Sequence, residues 1–226
     1  MVQLEVKDLS LGYDGVILKD NLNFKIEKGD YVCILGENGS GKSTLMKTIL
    51  GLKKPVSGQV IFADNSGVTS IGYLPQQTDM QRDFPASVRE IVLSGFRAKS
   101  GLRPFYTKEE KTAAIKAMEK TNITNLSNRC YRELSGGQQQ RVLLARAVCA
   151  ADDIIFLDEP VTGLDPDATE EMYKLIKDLN EKDGMTVIMI SHDMDSSLKY
   201  ANKILNFGNE VFFGTKDEFV ATREAK

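Results

Sequence analysis

Apolar and polar residues alternate near the start of the chain, over residues 2–9 and again over Leu22–Ile26. This period of two is typical of half-buried strands. Gly12-Tyr13-Asp14-Gly15 lies between the two segments and has the composition of a turn. The next apolar segment, Tyr31–Leu35, is continuous, as in a buried strand. The pattern therefore predicts an antiparallel flap followed by a buried strand.

Further along the chain, apolar segments alternate with helical patterns. Strands are predicted at residues 58–62, 70–74, 153–159, 185–190, 203–207 and 211–213. Helices are predicted at residues 43–50, at 139–150, after Asp165-Pro166 and from Thr215. This alternation predicts an α/β fold with a mainly parallel sheet, preceded by the antiparallel β flap.

Residues 77–133 have a different texture, rich in helical patterns and interrupted by glycine and proline. Capping boxes at Ser87 and Thr107 predict the starts of two helices. We interpret 77–133 as a small helical subdomain inserted into an α/β core of residues 1–76 and 134–226, so that 1–226 is one domain. Its aromatic residues fill a small core, which is the favoured interpretation, or form a groove for a partner helix. They are Phe84, Phe96, Phe105 and Tyr106.

Composition narrows the functional classes. The 226 residues include 29 Lys and Arg and 32 Asp and Glu, a net charge of −3, which gives no support to a nucleic-acid partner. No apolar segment approaches the roughly 18 residues that a membrane span requires, and the N-terminus lacks a signal-peptide pattern. We therefore expect a cytosolic chain whose membrane role, if any, comes through another chain. The three widely spaced cysteines are expected to be reduced thiols.

Gly36–Ser43 fits the pattern G-x-x-x-x-G-K-[ST] of a phosphate-binding loop. Glycines let the backbone turn its N–H groups inward, and the following helix adds its positive N-terminal end. Lys42 supplies a charge for the β- and γ-phosphates, and Ser43 supplies a hydroxyl suited to Mg²⁺. An ordinary glycine-rich turn is the alternative, but the strand–loop–helix context favours phosphate binding.

Polar residues also follow two predicted buried strands, at the end where ligands bind in parallel sheets. Asp158 suits a Mg²⁺ ligand, and Glu159 suits a base that activates water. His192, the single histidine, follows the strand at 185–190, and this position favours a ligand contact. Solvated loop acids and an ordinary surface histidine are the alternatives.

Leu134-Ser-Gly-Gly-Gln138 precedes another helical pattern. Ser135 is a good N-cap residue, and the two glycines leave the helix end sterically open. An open helix N-terminus favours anions, so this segment is a second candidate anion site. A plain capped helix is the alternative.

Together these motifs, in this order, resemble the ATP-binding subunit of ABC transporters, and the resemblance covers essentially the whole chain. The segment Leu134–Gln138 separates this family from other phosphate-loop enzymes. The resemblance implies ATP and Mg²⁺ as cofactors. The residues it implies for nucleotide binding are Tyr13, Gly36, Glu37, Asn38, Gly39, Ser40, Gly41, Lys42, Ser43, Thr44, Ser135, Gly136, Gly137, Gln138 and Asp165.

The resemblance also implies roles. The aromatic ring of Tyr13 would stack on adenine, for which the residues alone leave hairpin packing as an equal alternative. Glu159 would be the general base. The implied catalytic residues are Lys42, Gln76, Glu159 and His192, and the implied metal ligands are Ser43, Gln76 and Asp158.

The resemblance further implies partners. Ser135 and Gly137 would bind the γ-phosphate of ATP held by a second copy, so that two copies form a homodimer, and Gly163–Asp165 would couple the two sites. The helical subdomain would dock on transmembrane permease subunits, and an extracytoplasmic solute-binding protein would complete the system. The chain would then lie on the cytoplasmic face of the cell membrane, peripheral through its permease.

Residues 83–95 look like the corresponding segment in the zinc and manganese uptake group, which is a looser match than the nucleotide motifs. We therefore expect an importer of a divalent metal ion. Alternatives are the same ATPase serving an iron–siderophore or another small solute, and a soluble ABC-type ATPase acting on DNA or ribosomes. A small-molecule kinase would leave Leu134–Gln138 unexplained. Thr162 stands where Ser or Ala is common in relatives, and we attach no function to it.

Overall fold

A computed structural model of the chain describes residues 1–13, 16–63, 71–76, 83–101, 103–208 and 210–224. Three parts of the sequence predictions lie outside these ranges. They are the turn residues Asp14 and Gly15, Ser70 of one predicted strand, and residues 77–82 and Leu102 of the predicted helical subdomain.

The described residues form strands and helices that alternate between residues 136 and 207, as the sequence predicts. The strands are β1 (Val2–Tyr13), β2 (Val16–Glu27), β3 (Tyr31–Gly36), β4 (Ser57–Phe62), β5 (Ile71–Leu74), β6 (Ile154–Asp158), β7 (Thr186–Ile190), β8 (Lys203–Phe207) and β9 (Val211–Thr215). The helices are α1 (Lys42–Ile49), α2 (Val88–Leu93), α3 (Arg97–Ser100), α4 (Lys108–Lys120), α5 (Gly136–Ala150), α6 (Pro166–Glu181), α7 (Met194–Tyr200) and α8 (Lys216–Glu224).

The chain divides into two compact units. One comprises Met1–Val68 and Gly184–Lys226, and the other comprises Thr69–Asp183. The predicted subdomain 77–133 lies within the second unit, and its boundaries stay a prediction.

The first unit contains the predicted antiparallel flap. Strand β1 pairs antiparallel with β2 and also with β4, so the flap has three strands. The predicted strand at 2–9 extends to Tyr13, with register shifts between Val6 and Leu9 and a positive φ of 47° at Asp8. Such irregularities let a strand bend while its pairing continues, which a period-two pattern does not reveal.

The first unit also contains most of the parallel pairing. Strand β3 lies between β7 and β8 and is parallel to both, and β9 is antiparallel to β8. The side chains of Tyr31–Leu35 are all buried, as expected for the continuous apolar pattern of a central strand. Helix α1 leaves the carboxyl end of β3, which places the phosphate loop between them.

In the second unit, β5 and β6 are parallel, and the helices around them share an apolar cluster. Residues of α2 and α4, such as Val92 and Met118, bury side chains with Val142 and Cys149 of α5. Both predicted capping boxes are present, with Ser87 and Glu90 at α2 and with Thr107 and Glu110 at α4.

The four aromatic residues of this region differ in how far they are buried. Phe96 is buried in the cluster and Tyr106 packs against it, whereas Phe84 is 57% exposed and Phe105 is 82% exposed. The favoured interpretation that they fill a small core is therefore wrong for Phe84 and Phe105.

Glycine allows the helices of this cluster to approach closely. A Cβ atom at Gly95 would lie 2.3 Å from the carbonyl oxygen of Arg146 and 2.9 Å from the Cβ atom of Cys149. Only glycine fits between the turn after α2 and helix α5 without displacing backbone.

The cysteines are free thiols, as the sequence predicts. Cys33 and Cys149 are buried, and burial raises the pKa of each thiol to about 12. Among the described residues, no helix combines the length and the apolar character needed to cross a bilayer.

Candidate functional site

The predicted phosphate loop joins β3 to α1 and closes around a lysine. The Lys42 ammonium donates hydrogen bonds of 2.8 Å to the backbone oxygens of Gly36 and Glu37, and the residue is only 5% exposed. Gly36, Gly39 and Gly41 have positive φ values of 146°, 80° and 107°. The loop is thus a compact turn around a cation, at the start of a helix whose N-terminus favours anions.

The structure brings His192 beside this loop. A cavity of about 620 Å³ in the first unit is lined by residues 36–40 of the loop and by His192. The turn before α7 holds this position, because Asp193 caps the helix and the Ser191 N–H donates to the Ile34 oxygen at 3.2 Å. The exposed His192 and the loop therefore line one cavity, as expected of groups that share a ligand.

The same cavity contains a cation that the sequence analysis missed. Lys19 of β2 lines it and donates to the Gly208 oxygen at 2.7 Å. No motif marked Lys19, since a lysine on a flap strand is usually a solvated side chain.

Tyr13 lies at the end of β1, beside the helical end of the loop. A hydrogen bond with the Thr44 side chain, together with the nearby charge of Lys53, lowers the pKa of the Tyr13 phenol. Tyr13 is 48% exposed, so much of the residue's surface is accessible. An accessible aromatic side chain therefore lies next to Thr44, the residue that follows the phosphate loop.

In the second unit, Asp158 and Glu159 follow β6 as predicted. Asp158 is buried, and the Tyr73 side chain of β5 lies close enough to interact with its carboxylate. Burial, together with the Asp158 charge, raises the pKa of Tyr73 to about 12. The paired strands β5 and β6 align Tyr73 with Phe156, so the hydroxyl and the carboxylate lie on one face.

Two side chains fix the Glu159 carboxylate. The Gln76 amide Nε2 donates to Glu159 Oε2 at 2.9 Å, and the Thr162 hydroxyl donates to the same oxygen at 3.2 Å. Glu159 itself has a positive φ of 52°, which is uncommon for a residue with a side chain and is found at functional sites. The structure therefore gives Thr162 a contact that sequence reasoning did not assign.

Ser135 forms a capping box at the start of α5. Its Oγ accepts from the Gln138 N–H at 3.4 Å, and its own N–H donates to Gln138 Oε1 at 3.2 Å. The sequence analysis predicted the N-cap but not the reciprocal bond. A cavity of about 360 Å³ adjoins this helix start, and Gly137 and Asp165 also line it.

The segment 163–168 limits how open this helix end is. A Cβ atom at Gly137 would lie 3.1 Å from the Ala168 Cβ, and one at Gly136 would lie 3.8 Å from Leu164 Cδ2. Asp165 caps α6 by accepting from the Ala168 N–H at 2.9 Å. The two helix starts, of α5 and α6, therefore adjoin one cavity in the second unit.

The comparison with protein families decides between the functional classes. The sequence model described as ABC transporter matches residues 19–162, which include the loop and the segment Leu134–Gln138. The chain belongs to the ABC transporter family. This confirms the predicted resemblance, and with it the prediction of an ATP-hydrolysing subunit that drives transport.

Alignments with individual relatives cover more of this ABC transporter chain than the family model does. The zinc uptake system ATP-binding protein ZurA of Listeria innocua is 34% identical over 223 residues, covering 96% of this chain and 87% of ZurA. The manganese transport system ATP-binding protein MntB of Bacillus subtilis is 36% identical over 208 residues, covering 91% of this chain and 83% of MntB.

A solved structure supports the fold of this ABC transporter chain. The dimeric post-hydrolysis state of the ATP-binding cassette MJ0796, bound to ADP and Pi, has a TM-score of 0.77 and 28% identity. The match covers 94% of this chain and 98% of that one. The α/β fold with its antiparallel flap is thereby confirmed, whereas the roles of individual residues stay predictions.

Proposed function

We propose that this ABC transporter subunit binds and hydrolyses MgATP to drive the import of a divalent metal ion, zinc or manganese. The observation that carries the ATPase part is the closed glycine-rich loop around Lys42 at the start of α1. The cargo part is supported by relatives named for zinc and manganese uptake, which match nearly the whole chain.

We assign the triphosphate to the loop Gly36–Ser43, with Thr44 and Tyr13 beside it. The Lys42 ammonium already accommodates two carbonyl oxygens at 2.8 Å, and phosphate oxygens are acceptors of the same kind with a greater charge. Each hydrogen bond from an ionised donor to phosphate contributes roughly 1.5–3 kcal/mol.

The residues proposed for Mg²⁺ fit the ion by their chemistry. Ser43, Gln76 and Asp158 offer a hydroxyl, an amide and a carboxylate, and Mg²⁺ prefers such oxygen ligands. Tyr73 lies beside Asp158, and its hydroxyl would help to orient the Asp158 carboxylate, as outer hydrogen bonds do for metal ligands. Bound Mg²⁺ would neutralise charge on the β- and γ-phosphates.

We assign Glu159 as the general base and His192 as a γ-phosphate contact. Gln76 and Thr162 hold one oxygen of the Glu159 carboxylate, so that the group is oriented before it accepts a proton from water. Positioned general bases contribute about 10²- to 10⁴-fold to rate.

We further propose that two copies complete each other's site. Ser135 and Gly137 at the start of α5 would contact the γ-phosphate of ATP bound to the second copy, with Gly163–Asp165 as the coupling segment. Support comes from the helix start with its adjoining cavity and from the dimeric state of the similar cassette MJ0796.

The permease would dock on the helical region of the second unit. A cavity of about 310 Å³ there is lined by the exposed Phe84, by Ile91, and by Glu90 and Arg146. An apolar groove with charged residues suits an amphipathic helix. The chain would thus lie on the cytoplasmic face of the membrane through its permease, and a solute-binding protein would deliver the ion.

Uptake measurements test the cargo. Cells that carry Lys42→Ala in place of the natural chain should lose zinc or manganese accumulation and keep iron–siderophore uptake. The control is Lys216→Ala, which removes the first lysine of α8 and should behave as the natural chain. Loss of siderophore uptake with intact zinc and manganese uptake would overturn the cargo assignment.

A further inference from the structure

The ring of Tyr13 is held at its edge and on one face. The Thr44 side chain lies near the Tyr13 hydroxyl and lowers the pKa of the phenol, and the ammonium of Lys53 lies 2.7 Å from the ring centroid. An ammonium over an aromatic face is attracted by the negative charge of the π-system. The ring therefore cannot swing away from its position without losing the Lys53 contact.

Lys53 is fixed relative to the same helix that begins at the phosphate loop. The backbone N–H groups of Leu52 and Lys53 donate to the Lys47 oxygen at the end of α1, at 2.8 and 3.2 Å. The following strand is anchored to β1, because the Val56 N–H donates to the Ser10 oxygen at 2.9 Å. Backbone hydrogen bonds thus connect Lys53, helix α1 and strand β1 within the first unit.

An aromatic ring has two faces, and Lys53 covers one of them. Tyr13 is nevertheless 48% exposed, so the contact with Lys53 leaves much of the residue's surface accessible to a stacking partner. A cation on the covered face draws electron density away from the ring, and this favours an electron-rich partner on the other face.

We propose that Lys53 is a positioning residue that holds the Tyr13 ring as a one-sided platform for the purine base of the bound nucleotide. The inference rests on the proposed stacking role of Tyr13 and adds to it the residue that fixes the ring. It assigns base recognition to a contact outside the phosphate loop, so Lys53 acts on the base and not on the triphosphate.

The test compares the binding of ATP with that of inorganic tripolyphosphate, which lacks a base, both in the presence of Mg²⁺. Lys53→Met keeps the length of the side chain and removes its charge. Lys54→Met is the matched control, since it makes the same change of charge at the adjacent, exposed lysine. Thermal unfolding of each variant checks that the fold is kept.

Lys53→Met is expected to weaken ATP binding by about two- to five-fold relative to Lys54→Met, the range for an exposed cation–π contact. Tripolyphosphate binding should be equal in the two variants. An ATP-to-tripolyphosphate affinity ratio that is unchanged or raised in Lys53→Met would overturn the inference, because the lysine would then be irrelevant to the base or would compete with it.

Tyr13→Ala separates this inference from the function on which it rests. If Tyr13→Ala removes the preference for ATP over tripolyphosphate but Lys53→Met does not, the platform stands and the role of Lys53 fails. If Tyr13→Ala leaves the preference intact, the stacking role of Tyr13 fails and the inference fails with it.

Discussion

Replacing Ser135 by alanine separates a structural role from a functional one. Ser135 and Ser87 both begin helices with the same capping box. The Ser87 Oγ accepts from the Glu90 N–H at 3.3 Å, and the Ser135 Oγ accepts from the Gln138 N–H at 3.4 Å. Ser87→Ala is therefore a matched control for the loss of a helix cap.

Both alanine variants should lose stability, and Ser87→Ala should lose somewhat more, because the Ser87 Oγ also donates to Glu90 Oε2 at 2.7 Å. Removing a serine N-cap costs roughly 1 kcal/mol, and in a chain of this size that lowers Tm by about 2–4 °C. The ATPase rates should differ. If Ser135 also donates to a γ-phosphate, its loss removes a hydrogen bond to a charged group, worth about 1.5–3 kcal/mol. That corresponds to a rate lower by about 10- to 150-fold.

The assay is steady-state phosphate release by the isolated subunit at saturating MgATP, with Tm measured on the same samples. Ser135→Thr, which retains a capping hydroxyl, should recover most of the stability and part of the activity. If Ser135→Ala and Ser87→Ala lowered the ATPase rate equally, Ser135 would be a helix cap alone, and the proposed contact with a second copy's ATP would be refuted.

Four further predictions concern individual residues. Thr162→Val removes a donor to Glu159 and should lower the hydrolysis rate by about two- to ten-fold with unchanged ATP affinity; a rate equal to that of the natural chain would contradict this. Gly95→Ala places a Cβ atom 2.3 Å from the Arg146 oxygen, and denaturant titration should show about 1–3 kcal/mol lower stability; no loss would mean that the helices can separate freely. At pH 8, iodoacetamide should modify the partly exposed Cys130 in the folded chain but Cys33 and Cys149 only after unfolding, because burial raises their pKa to about 12. For the same reason their contribution to stability is complete below pH 9 and is lost as the pH rises from 9 towards 12, since only the unfolded thiols then ionise; native modification of Cys33 would contradict the assigned burial.

Much of the fold is predictable because local chemistry and tertiary structure agree. The continuous apolar segment Tyr31–Leu35 predicts a buried strand, and it is the strand with parallel partners on both sides. The capping box at Thr107 and the Asp165-Pro166 pair predict helix starts that the structure contains. In these places propensity, pattern and burial indicate the same element.

Other features depend on contacts that no local pattern contains. Tyr73 looks like an ordinary strand aromatic, but the register of β5 against β6 places it beside Asp158. Tyr173 of α6 carries a polar hydroxyl and is nevertheless buried. Thr162 contacts Glu159 only through the turn after β6, in which Glu159 has a positive φ.

The exposed aromatic residues show that an aromatic side chain cannot be assumed to be buried. Phe84 and Phe105 have the same apolar character as Phe96, yet only Phe96 joins the cluster. An aromatic residue in a short irregular segment has no period that reports which way it faces, so the sequence could not distinguish core from groove.

The most direct test of the account is the mass of the Glu159→Gln variant with MgATP. This change removes the proposed base and keeps an amide that can accept from Gln76 and Thr162. By light scattering after gel filtration, we predict an assembly of two copies with two ATP molecules, which Ser135→Ala should abolish in the same background. A single copy with ATP bound, or a two-copy assembly that Ser135→Ala leaves intact, would contradict the claim that each copy completes the other's nucleotide site.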